Sequence, residues 1–144
     1  MKVILFLLIV LTGNMLCAQP GNPQSAAFPG GMPRFYEYQR NAIVYPKKAL
    51  KKGIKGKVYV EFYIKEDGTI DQQAIRVVSA QEINQTMGGK YAAEVIADES
   101  LEAEAIRVIK NSPSWTPGKL YDKPIRQMSV MPVIFNTEIR TKSQ

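Results

Sequence analysis

The sequence predicts an α+β domain, a small antiparallel sheet of three strands with helices packed on one face. Three observations carry that expectation. Val58, Val60, Phe62 and Ile64 alternate strictly with Tyr59, Glu61, Tyr63 and Lys65, the period of a strand with one buried face. Asp67-Gly68 follows at once and supplies the positive-φ residue that a tight hairpin needs, after which Ile75, Val77 and Ser79 mark a second strand. From Asp98 to about Asn111, Leu101, Ala105, Val108 and Ile109 fall on one side of a helix, the face expected to cover a sheet. The full order is helix, helix, strand, strand, helix, strand with hairpin-length links, and no repeat interrupts it.

The chain opens with Lys2, an apolar run from Val3 to Leu11, and then Leu16-Cys17-Ala18-Gln19. A positive start, a short hydrophobic stretch and a small residue before the cut make a secretory signal, with cleavage expected after Ala18 and export to the periplasm. The alternatives are a retained membrane anchor and lipidation at Cys17. The nine residues of the apolar run fall well short of the roughly 20 that a spanning helix needs. Leu16 stands where a lipoprotein signal wants a small residue. The chain therefore divides into a signal peptide (1–18), a Gly-, Pro-, Asn- and Gln-rich flexible lead-in (19–27), a domain (28–136) and a tail (137–144).

Within the domain, Pro33 suits a first helical turn, and Phe35, Tyr38 and Ala42 then share one face of a short helix. Pro46 opens a second short helix through about Lys52, with Ala49 and Leu50 as its apolar contacts, Gly53 as its C-cap and Gly56 as the turn into the first strand. The connection from Ala80 to Ala97 contains Gly88-Gly89 and no sustained period. Asp98 caps the long helix, with Glu99, Glu102 and Glu104 near its positive end and Arg107 and Lys110 near its negative end. Pro113 and Pro117 end the helical run and bracket Trp115, and Tyr121 to Pro124 form a turn. Ile125 to Phe135 reads as the last strand. Pro132 cannot donate to a ladder, which places that strand at an edge.

Composition limits the chemistry. The chain has 144 residues, 19 Lys and Arg against 13 Asp and Glu, no His and a single Cys, Cys17, in the leader. That rules out a His-based triad, a His or Cys zinc site, a disulfide framework and a thiol nucleophile in a processed chain. Glu66 to Asp71 lacks the alternating acids of a calcium loop and reads as a hairpin turn. The acids from Asp98 to Glu104 fit helix N-terminal electrostatics better than a catalytic pair. No Gly-x-Ser-x-Gly or Ser-x-x-Lys motif occurs. No enzyme activity, cofactor, metal or small-molecule substrate is expected.

Two features remain as candidate binding elements. Lys47, Lys48, Lys51, Lys52, Lys55 and Lys57 form the densest basic run, either a solvated helix face or a surface for an anionic envelope or cell-wall polymer. Export argues against nucleic acid. Trp115 is a binding aromatic or, more in keeping with a lone Trp after an amphipathic helix, a core residue.

Taken in order, Tyr45-Pro46, Gly53-Ile54-Lys55-Gly56-Lys57-Val58, Phe62-x-Ile64, Asp67-Gly68-Thr69-Ile70, Ile75-x-Val77, Leu101 to Ala105, Trp115-x-Pro117-Gly118 and Val130-x-Pro132-Val133-x-Phe135 resemble the C-terminal domain of TonB proteins. The likeness covers about Tyr45 to Phe135, and the preceding Phe28-Pro29-Gly30-Gly31-Met32 resembles an extension found before this domain in Bacteroidetes-type bacteria. The resemblance implies a three-stranded antiparallel sheet and no catalysis. It implies binding to TonB-dependent outer-membrane receptors, or related envelope proteins, whose extended TonB-box peptide adds to the sheet edge. By resemblance that edge is the backbone of Gln127, Met128, Ser129, Val130, Met131, Val133, Ile134 and Phe135. The same edge can pair with a second copy, so a homodimer is an alternative expectation. Two departures from the family stand out: a short leader and lead-in are expected where TonB proteins have a spanning anchor that engages the ExbB and ExbD motor and then a long Pro-rich spacer, and Ala80 to Ala97 is longer than the usual connection, as a tolerated surface insertion or a partner-specific element.

Overall fold

The computed structural model describes residues 21–136. The expected leader, with Cys17 and Ala18, and the tail 137–144 lie outside the described residues.

Two short helices come first, α1 (Gly31–Ala42) and α2 (Lys47–Lys51), followed by the hairpin of β1 (Gly56–Ile64) and β2 (Ile70–Val78). α3 (Ala80–Thr86) and α4 (Gly89–Ala92) occupy the connection to α5 (Glu99–Lys110). A small hairpin of β3 (Gly118–Leu120) and β4 (Lys123–Ile125) then leads into β5 (Gln127–Phe135). The main sheet is antiparallel in the order β2-β1-β5, so among the described residues the last strand is an edge and the first is central.

The alternation along β1 works as the sequence indicates. Val58, Val60, Phe62 and Ile64 are fully buried, and β5 sets Val133 opposite Val58 and Met131 opposite Val60 on the same face. Helices α1, α2 and α5 cover that face with Phe35, Ala49, Leu101, Ala105, Val108 and Ile109. Asp98 caps α5 through its carboxylate, which accepts from the N–H groups of Ser100 and Leu101.

Trp115 belongs to the core. It is 3% exposed and packs against Phe28, Phe35 and Phe62 at ring-centroid distances of 5.4, 5.5 and 5.3 Å, the edge-on arrangement that aromatic quadrupoles favour. The β1–β2 turn closes onto it. Trp115 donates its backbone N–H to the Gly68 carbonyl at 2.8 Å, and Gly68 has φ +83° with a position for Cβ only 2.1 Å from the Trp115 carbonyl oxygen. No side chain fits there, and none but glycine adopts that backbone without strain.

Four features differ from the sequence reading. The connection 80–97, which shows no sustained period in sequence, holds two short helices: Ile83 of α3 packs on Tyr59 and Val78, with Ala92, Val95 and Val130 around them, so a second and smaller cluster covers part of the opposite sheet face. These helices are too short to show a period. A Ser79–Glu82 capping box starts α3. Glu104, grouped above with the acids of the helix start, is instead 9% exposed on the inner side of α5. It accepts from the Val44 N–H at 2.6 Å and from Arg107 at 2.6 and 2.8 Å, while Arg107 also donates to the Ala42 carbonyl at 2.6 Å, fastening the α1–α2 link to α5. The turn expected over Tyr121 to Pro124 is tighter than read: Tyr121 and Asp122 take left-handed backbones, φ 50° and 63°, and close a β3–β4 hairpin, so Ile125 ends β4 and the last strand begins at Gln127 rather than Ile125. Part of the segment read as flexible is also tied down, because Gln24 pairs with Lys119 and Ala27 with Thr116 through backbone hydrogen bonds of 2.8–3.0 Å.

Candidate functional site at the outer edge of β5

β5 pairs with β1 along one side only. In an antiparallel strand the N–H and C=O of one residue point to the same side, and successive residues alternate. The Pro132 carbonyl and Ile134 N–H are bonded to a side chain on the side away from β1. The outward backbone groups of β5 are therefore those of Met128, Val130, Pro132 and Ile134, while Gln127, Ser129, Met131, Val133 and Phe135 bond inward to β1.

These outward groups fall into two sets. Gln39, buried on α1 with 2% exposure, donates from Nε2 to the Pro132 carbonyl at 2.8 Å and accepts at Oε1 from the Ile134 N–H at 3.1 Å. Its carboxamide takes the place of a peptide group from a neighbouring strand. Pro132 contributes no donor of its own. The N–H and C=O groups of Met128 and Val130 have no hydrogen-bond partner among the described residues.

The open part of the edge has a defined border. At its lower end, the Gln127 side chain accepts from the Ala26 N–H at 2.7 Å, and Arg126 lies 3.7 Å from the centre of the Tyr63 ring while donating to Asp71 at 2.9 Å. On the sheet face that carries α3, a groove of about 340 Å³ runs between Met128 and Val130 on one side and Val78, Ile83 and Met87 on the other. Such a volume is at the small end for ligand clefts and suits a side chain or two rather than a cofactor. Met128 and Met87 are 48% and 42% exposed, and methionine adapts its shape to varied apolar partners.

Arg76 forms the polar end of the groove. It makes a two-point pair with Glu61 at 2.8 and 2.9 Å and a further bond to Glu82 at 2.7 Å. The Ser79 backbone N–H, Arg76 and the Ser79 hydroxyl together hold the Glu82 carboxyl down at about 2, against 4.5 for an ordinary glutamate. The acids near the groove are thus occupied by internal partners.

The lysines of the basic run do not share one surface. Lys47, Lys48, Lys51, Lys52 and Lys55 are exposed on and just after α2. Lys57 is on β1, out of phase with the buried Val58 and Val60, on the opposite sheet face, where it is paired to Glu94. That pairing raises the Lys57 amine above its ordinary range. Among the described residues no group of three or more Asp, Glu, Cys or His could hold a metal ion, and no helix is long and apolar enough to cross a membrane.

Sequence reasoning did not find Gln39. The available signal was a polar residue four positions after Phe35, on the buried stripe of an amphipathic helix, where a carboxamide needs partners.

Residues 41–86 match the family model described as Gram-negative bacterial TonB protein C-terminal. That segment is similar to the C-terminal domain of TonB proteins. It runs from the end of α1 through α2, β1, β2 and α3, and stops short of α5 and β5. The NMR solution structure of the Helicobacter pylori TonB C-terminal domain is similar at 21% identity, covering 73% of this chain and 91% of that one with a TM-score of 0.48. No curated protein matches the chain.

Proposed function

We propose that this chain is a non-enzymatic periplasmic interaction module of the TonB C-terminal kind, binding the extended box peptide of a TonB-dependent outer-membrane receptor, or of a related envelope protein, by adding it as a strand to β5. One observation carries the reading: Met128 and Val130 present N–H and C=O groups along a sheet edge that no other described residue pairs with. Main-chain pairing there supplies affinity, and alternate side chains supply specificity. Partner residues opposite Met128 and Val130 set their side chains on the face that bears the Ile83–Met87 groove. The match of residues 41–86 to the TonB C-terminal family model supports the same reading for the α2–β1–β2 part of the domain.

The test is a titration of the isotope-labelled protein with a synthetic ten-residue TonB-box peptide, followed amide by amide. Binding by strand addition moves Met128 and Val130 most. No change in β5, together with salt-sensitive pelleting on cell-wall polymer, would contradict it and transfer the function to the exposed lysines of α2. Export is tested separately by intact mass of the native protein, which should begin at Gln19.

A further inference from the structure

The strand that offers the edge also carries its limit. We propose that Gln39 is a specificity-determining register stop: it closes β5 from Pro132 onward, so that an incoming strand pairs only with Met128 and Val130 and must leave the sheet beyond Val130. The proposal rests on the strand-addition reading above.

Three observations support it. The carboxamide of Gln39 satisfies the outward Pro132 carbonyl and Ile134 N–H, and the missing N–H of Pro132 leaves that stretch no other outward donor. Gln39 is itself buried, so a peptide that displaced it would exchange two existing bonds for two equivalent ones and leave a buried carboxamide unpaired. Lastly, α1 is held in place on both sides of Gln39. Phe35 packs on Trp115 at 5.5 Å, Tyr38 donates to the Val108 carbonyl at 2.8 Å, and Arg107 donates to the Ala42 carbonyl at 2.6 Å. A stop mounted on so fixed a helix sets a register rather than swinging aside.

The consequence is a short recognition element. The outward groups of Met128 and Val130 allow at most two donors and two acceptors, so two partner residues flanking one inward-facing position make the main-chain contacts. Partner residues beyond them contribute little.

Amide hydrogen exchange on the full chain, with and without the ten-residue TonB-box peptide, tests the stop. In the wild type the peptide should slow exchange at Met128 and Val130 at least tenfold and leave Ile134, already protected, unchanged. In Gln39→Ala, Ile134 should exchange at least tenfold faster in the free protein and gain protection when the peptide is added. Should that variant not fold, Gln39→Met keeps the volume while removing both bonds, and the same acceleration at Ile134 is expected. Further protection of Ile134 by peptide in the wild type, or unchanged Ile134 exchange in the folded variant, would overturn the stop while leaving strand addition standing. Absence of peptide protection at every β5 amide would remove strand addition and the stop together.

Discussion

Two halves of β5 share one strand and one neighbour, yet they live in different surroundings. In the half from Pro132 to Phe135, Val133 and Phe135 are buried in the core, Tyr45 meets the Phe135 ring edge-on at 5.8 Å, and Gln39 occupies the outward Pro132 carbonyl and Ile134 N–H. In the half from Gln127 to Met131 the core face is only partly covered, Met128 is 48% exposed, and the outer backbone groups of Met128 and Val130 have no partner among the described residues. The contrast shows how one nine-residue strand can both close a core and remain available to a partner. An exposed edge is also a site for unwanted pairing, and shortening it to two residues limits that liability.

The largest effect should come from the sealed half. Phe135→Ala removes a ring that is 1% exposed and should cost about 3–5 kcal/mol in urea unfolding. A loss below about 1 kcal/mol would mean that this half is not the structural one. Gln39→Ala should cost less, about 2 kcal/mol, because the Pro132 carbonyl and Ile134 N–H lose their partner. The open half should behave in the opposite manner. Met128→Ala should leave stability within about 0.5 kcal/mol and weaken box-peptide binding roughly fivefold, about 1 kcal/mol; a stability loss equal to that of Phe135→Ala would erase the distinction.

The smallest effect is a local pH response beside the open half. Glu82 titrates at about 2 in the fold against 4.5 ordinarily, so the stability it lends α3 is present above about 4.5 and is lost as pH falls toward 2. The Ile83 and Tyr59 resonances should report loosening in that window, and Glu82→Gln should abolish the pH dependence. An unchanged response in that variant would place the acid sensitivity elsewhere.

The parts of this fold legible in the sequence are those where a period runs long enough to be counted. β1 shows it in four alternating core residues, and α5 in Leu101, Ala105, Val108 and Ile109. The β1–β2 turn was legible because Asp67-Gly68 is chemically specific to it. Pro132 was legible as an edge marker, and the sheet order agrees. The seven residues of α3 and four of α4 gave no period, since tertiary packing of Ile83 on Tyr59 holds them more than propensity does. The Ser79-x-x-Glu82 spacing of a capping box was the signal available for α3, and the sequence reading did not use it. The turn at Tyr121 and Asp122 was legible, but the three-residue strands on either side of it, Gly118–Leu120 and Lys123–Ile125, are too short to show an alternation, and Ile125 belongs to the second of them rather than to β5.

The candidate site divides in the same way. Strand alternation and a proline locate the edge, whereas its partial closure depends on a contact between Gln39 and Ile134, residues far apart in the chain. Periodicity does not see such a contact. The basic run is the converse case: Lys57 is close to Lys55 in sequence, but it belongs to a different face, because the strand begins between them.

The most direct measurement of the difference between the two halves is amide hydrogen exchange along β5 in the free protein. With Gln39 in place and the lower edge open, Ile134 should be protected to a degree comparable with the inward-bonded Val133, while Met128 and Val130 exchange at least tenfold faster than Ile134. Equal protection at Met128, Val130 and Ile134 would contradict the account, since it would mean that the whole edge is already paired.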